Sequence, residues 1–168
     1  MVGERFRVGF GYDVHRLVEG KALILGGVKI PNDKGLLGYS DADVLVHAVI
    51  DAILGALGKG DIGQHFPDND PAYRGADSLI LLKQIVDLAH DKGFTVNNLD
   101  ASIIAQKPKL TPYVNDMKER LSTVLEVDPD VLNVKATTTE GLGFCGRDEG
   151  VAAYAVVSLE YDDKACNG

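Results

Sequence analysis

Tryptophan is absent from these 168 residues, cysteine and methionine occur twice each, and positive charge is in deficit, with 17 Lys and Arg against 25 Asp and Glu. Each shortage excludes something. Cys145 and Cys166 stand far apart and outside any Cys-x-x-Cys spacing, so neither a disulfide framework nor a thiolate metal site is indicated, and both read as reduced bystanders. A formal net charge of -8 argues against a nucleic-acid partner, because a polyanion is bound by a basic face that releases counterions. An anionic small molecule would have to meet locally placed cations instead. No apolar run approaches the roughly 20 residues of a membrane span. The opening Met1-Val2-Gly3-Glu4-Arg5 lacks the basic-then-apolar order of a secretory signal, so the cytoplasm is the expected location.

What is present is ordinary globular composition, 45% hydrophobic and 25% charged. The length suffices for one domain with a real core, and no repeat, low-complexity stretch or linker divides the chain, so a single domain over residues 1–168 is expected. Strands are expected at residues 6–11 and 22–30, the second with a bulge or bend at Gly26-Gly27. Asp13-Val14-His15 then falls just beyond a strand end. Ser40 with Asp43 makes a capping-box-like start to a helix over residues 41–57, which Gly58 and Gly60 end. Residues 61–71 are rich in Gly, Pro, Asp and Asn and read as a surface loop. An amphipathic helix over 76–92 follows, then a strand over 99–105, a helix opened by Thr111-Pro112 and running to 126, and strands over 131–137 and 151–161. The order β-β-α-α-β-α-β-β predicts an α+β fold, a mixed β-sheet with helices packed on one side.

The helix at 41–57 is apolar almost all round, so its polar residues need a reason. They are Asp43, His47 and Asp51, spaced i, i+4, i+8 on one stripe, and such a stripe on a buried helix must be paired, metal-bound or facing a cavity. Asp13 and His15 occupy alternate positions that project to the same side of extended backbone. With His47 they supply two imidazoles and a carboxylate, a set that suits zinc with an open coordination position. Taken singly, each histidine reads equally well as a core or capping residue. Asp51 is the expected partner behind His47, fixing its tautomer, with a water-facing side chain as the alternative; Asp43 reads as partner or as helix cap. His65 and His90 have no ligand-like spacing and are assigned to solvent or local capping.

Lys135-Ala136-Thr137-Thr138-Thr139-Glu140 offers a cation, hydroxyls and backbone amides of the kind that cradle phosphate, and Glu140 suits a second, harder cation. Consecutive threonines are also what an ordinary strand end prefers. Phe144, Gly146 and Arg147 place an aromatic ring and a guanidinium on a Gly-rich stretch, where the arginine either grips phosphate or pairs with Asp148 or Glu149.

Together, Asp13-Val14-His15, Ser40-Asp41-x-Asp43 through His47, Gly60-Asp61-Ile62-Gly63, Phe66-Pro67-Asp68, Lys135 through Glu140 and Gly146-Arg147 resemble the 2-C-methyl-D-erythritol 2,4-cyclodiphosphate synthases. The likeness runs nearly the whole length. It implies that the 2-phosphate of 4-diphosphocytidyl-2-C-methyl-D-erythritol 2-phosphate attacks the β-phosphorus and expels CMP, a step of non-mevalonate isoprenoid biosynthesis. By the same resemblance Asp13, His15 and His47 bind zinc, Glu140 holds magnesium or manganese between the nucleotide phosphates, and Thr138 steadies the reacting group. Val14, Tyr39 and Ser40 adjoin the substrate. Asp61, Ile62 and Gly63 contact the methylerythritol hydroxyls beneath a lid of Phe66, Pro67, Asp68, Asn69 and Asp70. The resemblance places the cytosine among Ala105, Gln106, Lys107, Pro108, Lys109, Leu110 and Thr111 of the neighbouring subunit of a homotrimer. Lys135, Thr137 and Thr139 flank the nucleotide phosphates. Phe144 and Arg147 would line a cavity on the threefold axis that accepts an isoprenoid diphosphate. Two positions depart from the pattern: Tyr39 stands where many relatives have His, so it can donate a hydrogen bond but carries no charge, and Tyr154 stands where some have Glu. A metal-dependent phosphoesterase and a trimeric binding protein with a structural metal are the competing readings.

Overall fold

Alternation along the first segment sets the layers. It forms β1 (Phe6–Glu19), in which Gly9, Gly11, Asp13, His15 and Leu17 turn one way, while Phe6, Val8, Phe10, Tyr12 and Val14 turn the other and stay 40–69% exposed. The computed structural model describes residues 6–162; the opening five residues, read above for a signal, and Cys166 lie outside the described part. The remaining strands are β2 (Leu23–Leu25), β3 (Val28–Ile30), β4 (Lys34–Leu37), β5 (Phe94–Ile104), β6 (Leu132–Thr137) and β7 (Gly150–Tyr161). Five of them make one sheet in the order β4-β1-β7-β5-β6, with β2 and β3 as a separate hairpin. Only β5 and β6 run parallel, so the sheet is mixed as expected.

Helices α1 (Val44–Leu57), α3 (Ser78–Asp91) and α4 (Val114–Leu125) cover one face, and two single turns, α2 (Ile62–His65) and α5 (Gly143–Gly146), sit in the connections. Among the described residues no helix is long and apolar enough to cross a membrane. The seating of α1 is tight for a reason legible in side-chain size. A Cβ at Gly11 would enter the carbonyl oxygen of Ala48, and one at Gly9 that of Ala52, so glycine on the strand and alanine on the helix let the two backbones touch. That seam brings His47, one residue before Ala48, against β1 at Asp13 and His15.

Several expectations need correction. Asp13-Val14-His15 lies inside β1, which continues past Gly11 by pairing with β7 as far as Arg16 and then with β4 from Arg16 to Glu19, the latter a strand not anticipated from the sequence. Gly26-Gly27 is not a bulge but the two-residue turn of the β2–β3 hairpin, both glycines having positive φ as that turn requires. The stretch 61–71 holds α2 and a 3-10 turn at Pro71–Tyr73 rather than plain loop. The N-cap of α1 is Asp43, not Ser40.

Asp43 does more than cap. Its fully buried carboxylate accepts from Val46 N at 3.1 Å, Gly26 N at 2.9 Å and Gly27 N at 2.6 Å, tying the hairpin turn to the start of α1. Burial outweighs the pull of the three N–H groups and leaves this carboxyl raised to about 6, while the three donors favour its ionised form. Asp43→Asn keeps the size but turns an amide donor toward an N–H donor. The expected loss is about 2–3 kcal/mol of unfolding free energy, read from urea denaturation, and a loss below 0.5 kcal/mol, roughly the scatter of a surface substitution, would refute the clamp.

Candidate metal and substrate site

Three electron-pair donors meet where α1 crosses β1. Asp13 Oδ2 lies 2.9 Å from His15 Nε2 and 2.9 Å from His47 Nδ1, and the two nitrogens are 3.1 Å apart. The outward nitrogens decide what points inward. His15 Nδ1 is 2.9 Å from the Leu37 carbonyl oxygen, which can only accept, so Nδ1 carries the hydrogen and neutral His15 directs a lone pair from Nε2. His47 Nε2 is 2.9 Å from Ser78 Oγ, whose own hydrogen goes to Asp41 Oδ1. Ser78 Oγ therefore accepts from Nε2–H, and Nδ1 of His47 presents its lone pair as well. Ser40 Oγ, 3.1 Å from the same Nε2, backs this arrangement. A carboxylate and two lone pairs at such range repel unless a cation or a proton lies among them, and the donor set fits a divalent metal ion.

Titration follows the same geometry. Burial opposes ionisation of Asp13, yet the hydrogen bonds and charges of His15 and His47 outweigh it and hold the carboxyl down at about 2. Burial also disfavours charge on His15, but its bond to Asp13 prevails and its pKa is raised.

Asp51 does not stand behind His47. Its Oδ1 accepts from Ile62 N at 2.7 Å, fastening α2, while the imidazole of His47 points the other way, toward α3. The stripe i, i+4 reports a shared face, not the direction of a ring nitrogen. Residues that reasoning missed are Ser78 and Asp41: the Asp41 carboxylate holds both the Ser78 hydroxyl and the Ser78 backbone N–H, the latter at 3.0 Å. A serine at a helix start reads as a cap, so only its full burial marks it out.

The triad forms part of the wall of a cavity of about 490 Å³. Gly38, Tyr39 and Ser40 line it together with Ile62, Gly63, Phe66, Pro67, Asp68, Asn69, Tyr73 and Leu81, and no Lys or Arg takes part. Of the remaining expected substrate contacts, Asp61 caps α2 through Gln64 N and Asp70 caps the 3-10 turn through Ala72 N. His65 bonds the Lys59 carbonyl and His90 faces Glu126, both away from the triad.

A second set gathers at the ends of the parallel strands. Ala105 through Thr111 follow β5 and Thr137 through Glu140 close β6, and the two runs are joined by Ala105 N to Thr137 O at 3.0 Å and Gly141 N to Gln106 Oε1 at 3.3 Å. Glu140 N donates to Thr138 Oγ1 at 3.2 Å. Lys135 Nζ is engaged by Asp100 Oδ2 at 2.7 Å, an exposed pair. None of this second set lines the cavity of the triad. A third group, Val14, Phe144 and Arg147 with Lys34, borders a second space of about 680 Å³ that shares His15 with the first, and Arg147 is paired with Glu149 at 2.9 Å, the neighbour pairing weighed above. Cys145 is buried, and burial raises its thiol.

Comparison with known proteins adds independent evidence. The sequence profile of the YgbB family matches residues 6–160. A 2-C-methyl-D-erythritol 2,4-cyclodiphosphate synthase of Geotalea uraniireducens is 63% identical over 154 residues, covering 92% of this chain and 98% of that protein. The synthase of a Geobacillus species is 61% identical over 155 residues, again 92% of this chain and 98% of its own. Among solved structures, IspF of Plasmodium falciparum in complex with CDP superposes with a TM-score of 0.83 at 37% identity, covering 95% of this chain and 98% of that one. The bifunctional IspDF of Campylobacter jejuni gives 0.90 at 46% identity over 94% of this chain, which spans 43% of that longer protein.

Proposed function

We infer the activity from the family to which this chain belongs, the YgbB family: it converts 4-diphosphocytidyl-2-C-methyl-D-erythritol 2-phosphate to 2-C-methyl-D-erythritol 2,4-cyclodiphosphate with release of CMP, in non-mevalonate isoprenoid biosynthesis. The observation that carries this reading to the residues is the convergence of Asp13, His15 and His47 in the wall of a cavity. The nucleophile is already an anionic phosphate oxygen, so no strong base is needed; the chain must bring two anions together in line and offset their charge. Asp13, His15 and His47 would hold zinc, and the bound ion supplies a Lewis acid for the attacking phosphate. Glu140 would hold magnesium or manganese, which neutralises the diphosphate.

The chain's own groups do the rest. Ser40, Ser78 and Asp41 keep His47 in the tautomer that offers Nδ1, and the Leu37 carbonyl does the same for His15 Nε2. Phe66 and Pro67 exclude water from the cavity, and the Ile62-Gly63 backbone with Asp61 meets the sugar hydroxyls. Thr138 donates its hydroxyl to the phosphate being transferred, and Tyr39, whose hydroxyl hydrogen goes to the Asp70 carbonyl oxygen, lines the cavity of the triad. Lys135, Thr137 and Thr139 adjoin the nucleotide phosphates, and residues 105–111 take the cytosine.

We place the complete site between subunits of a homotrimer. Two observations support this: the triad's cavity takes no wall from 105–111 or 135–140, and one sheet face leaves Val8, Phe10, Tyr12, Val14, Tyr154 and Val156 exposed side by side. With Phe144 and Arg147 near such an axis, an isoprenoid diphosphate is a fitting occupant of the axial space, provided Arg147 leaves Glu149. Incubation with the diphosphocytidyl substrate, magnesium and trace zinc tests the central claim. Equimolar CMP and cyclodiphosphate are expected; no CMP would sink the synthase reading, and inorganic phosphate would make the enzyme a phosphoesterase.

A further inference from the structure

The segment from Phe66 to Ser78, which contributes wall to the cavity of the triad, is held by the strip of residues 39–41. The Tyr39 hydroxyl donates to the Asp70 carbonyl oxygen at 3.0 Å, its own carbonyl accepts from Gly75 N at 2.8 Å, and the Arg74 guanidinium lies over its ring at 5.8 Å. Two residues on, Asp41 N donates to Ala76 O at 3.0 Å and the Asp41 carboxylate takes Ser78. Residues 75–78 are thus secured by backbone bonds and a carboxylate. The upstream end, where Phe66 through Asn69 line the cavity and Asp70 follows them, meets the 39–41 strip through the phenol hydroxyl. Asp70 is also where the wall turns, since its N–H donates to Pro67 O and its carbonyl accepts from Tyr73 N, both at 3.1 Å. Phe66 then packs edge-on against Tyr73, with ring centroids 5.3 Å apart.

We propose that Tyr39 is a positioning residue whose hydroxyl, bonded to the Asp70 carbonyl, fastens residues 66–70 over the metal triad before substrate binds. This rests on the synthase reading for its kinetic consequence but not for its structural one. A pre-formed wall spares the substrate the cost of ordering it, so loss of the tether weakens binding of ground state and transition state alike. Tyr39→Phe removes the hydroxyl and keeps the ring, the Gly75 bond and the Arg74 contact.

In the zinc-loaded, substrate-free protein, amide hydrogen exchange at residues 66–70 is expected to quicken about five- to tenfold in Tyr39→Phe, the worth of one hydrogen bond, with α1 amides and zinc content as checks that the fold survives. The loss in kcat/KM, also about five- to tenfold, is expected to fall in KM. Unaltered exchange at 66–70 overturns the proposal whatever the kinetics show. A loss confined to kcat overturns it too, because the hydroxyl would then act on the reacting groups. Exchange is measured without substrate, so a wild-type protein that releases no CMP would defeat the synthase reading and leave the tether standing on its own result.

Discussion

His47→Ala is expected to strip the metal and lower kcat/KM about a thousandfold or more while leaving the protein folded, since it removes one of the three proposed ligands and with it the orientation of the attacking phosphate that the ion would provide. The fold survives for a stated reason. His47 is one of 14 residues in α1, and the twelve apolar or small ones around it are seated on β1 and β7 through the Gly–Ala seam, which the substitution does not touch. What is lost locally are the contacts of Nε2 with Ser78, whose hydroxyl keeps Asp41, and with Ser40, and that of Nδ1 with Asp13. Zinc content by mass spectrometry, CMP release and thermal unfolding check the three parts separately. Stoichiometric zinc with full activity would move the ligand elsewhere.

The same triad gives a pH signature with a fixed sign. In the metal-free chain the His15 pKa is raised above its ordinary 6.5, so its contribution to stability is fully present below 6.5 and is lost as pH rises through the folded value. Asp13, lowered from 3.8 to about 2, contributes above 3.8 and loses that contribution only as pH falls through about 2. Across neutrality the metal-free triad therefore weakens as pH rises. Metal binding has the opposite trend, because the ion needs His15 unprotonated and its affinity falls about tenfold per pH unit for each proton it must displace. The gap in Tm between zinc-loaded and stripped protein should widen from pH 6 to pH 8. A gap that is constant or shrinks would mean that His15 is not a ligand.

The candidate triad was legible and its supports were not, and the difference is physical. Asp13 and His15 alternate on extended backbone and His47 interrupts an apolar helix, so each advertises itself by breaking a local pattern. Ser78 and Asp41 break none, because polar residues at helix starts are ordinary. Asp51 misled for the converse reason: it shares the stripe of His47, yet the ring of His47 reaches α3 and Asp51 reaches Ile62. Gly9 and Gly11 lie within the expected strand and are there to admit α1, whereas the missed part of β1, beyond Gly11, is held by long-range pairing with β7 and β4. The short β4 carries a glycine among four residues and pairs only with the far end of β1, a contact no local signal reports. The mixed sheet with helices on one face followed from element order alone.

Mixing two inactive variants is expected to restore activity, because the triad and the nucleotide-binding ends of β5 and β6 are proposed to meet only across subunits. Within one chain Asp13 pairs with Ala153, Ala153 with Ile103 and Ile103 with Ala136, so the triad stands level with β6 but three strand spacings away, about 14 Å. In-line attack needs the reacting atoms within about 3.5 Å, too close for phosphates divided between those two places. In the proposed trimer a neighbouring copy, docked through the exposed face of β1 and β7, would supply the second pair of strand ends to the cavity. His47→Ala destroys the metal half of a site and keeps the nucleotide half; Glu140→Gln does the reverse, at an exposed position bonded only within its own turn. Each alone should fall about a hundredfold or more. After subunit exchange in equal amounts each half is intact in half of the chains, so about a quarter of the interfaces join two intact halves and about a quarter of the parent rate should return. Exchange is verified by native mass spectrometry of differently tagged copies. Trimers that mix with no return of activity would place the whole site within one chain, and a monomer under the same conditions would remove the proposed assembly altogether.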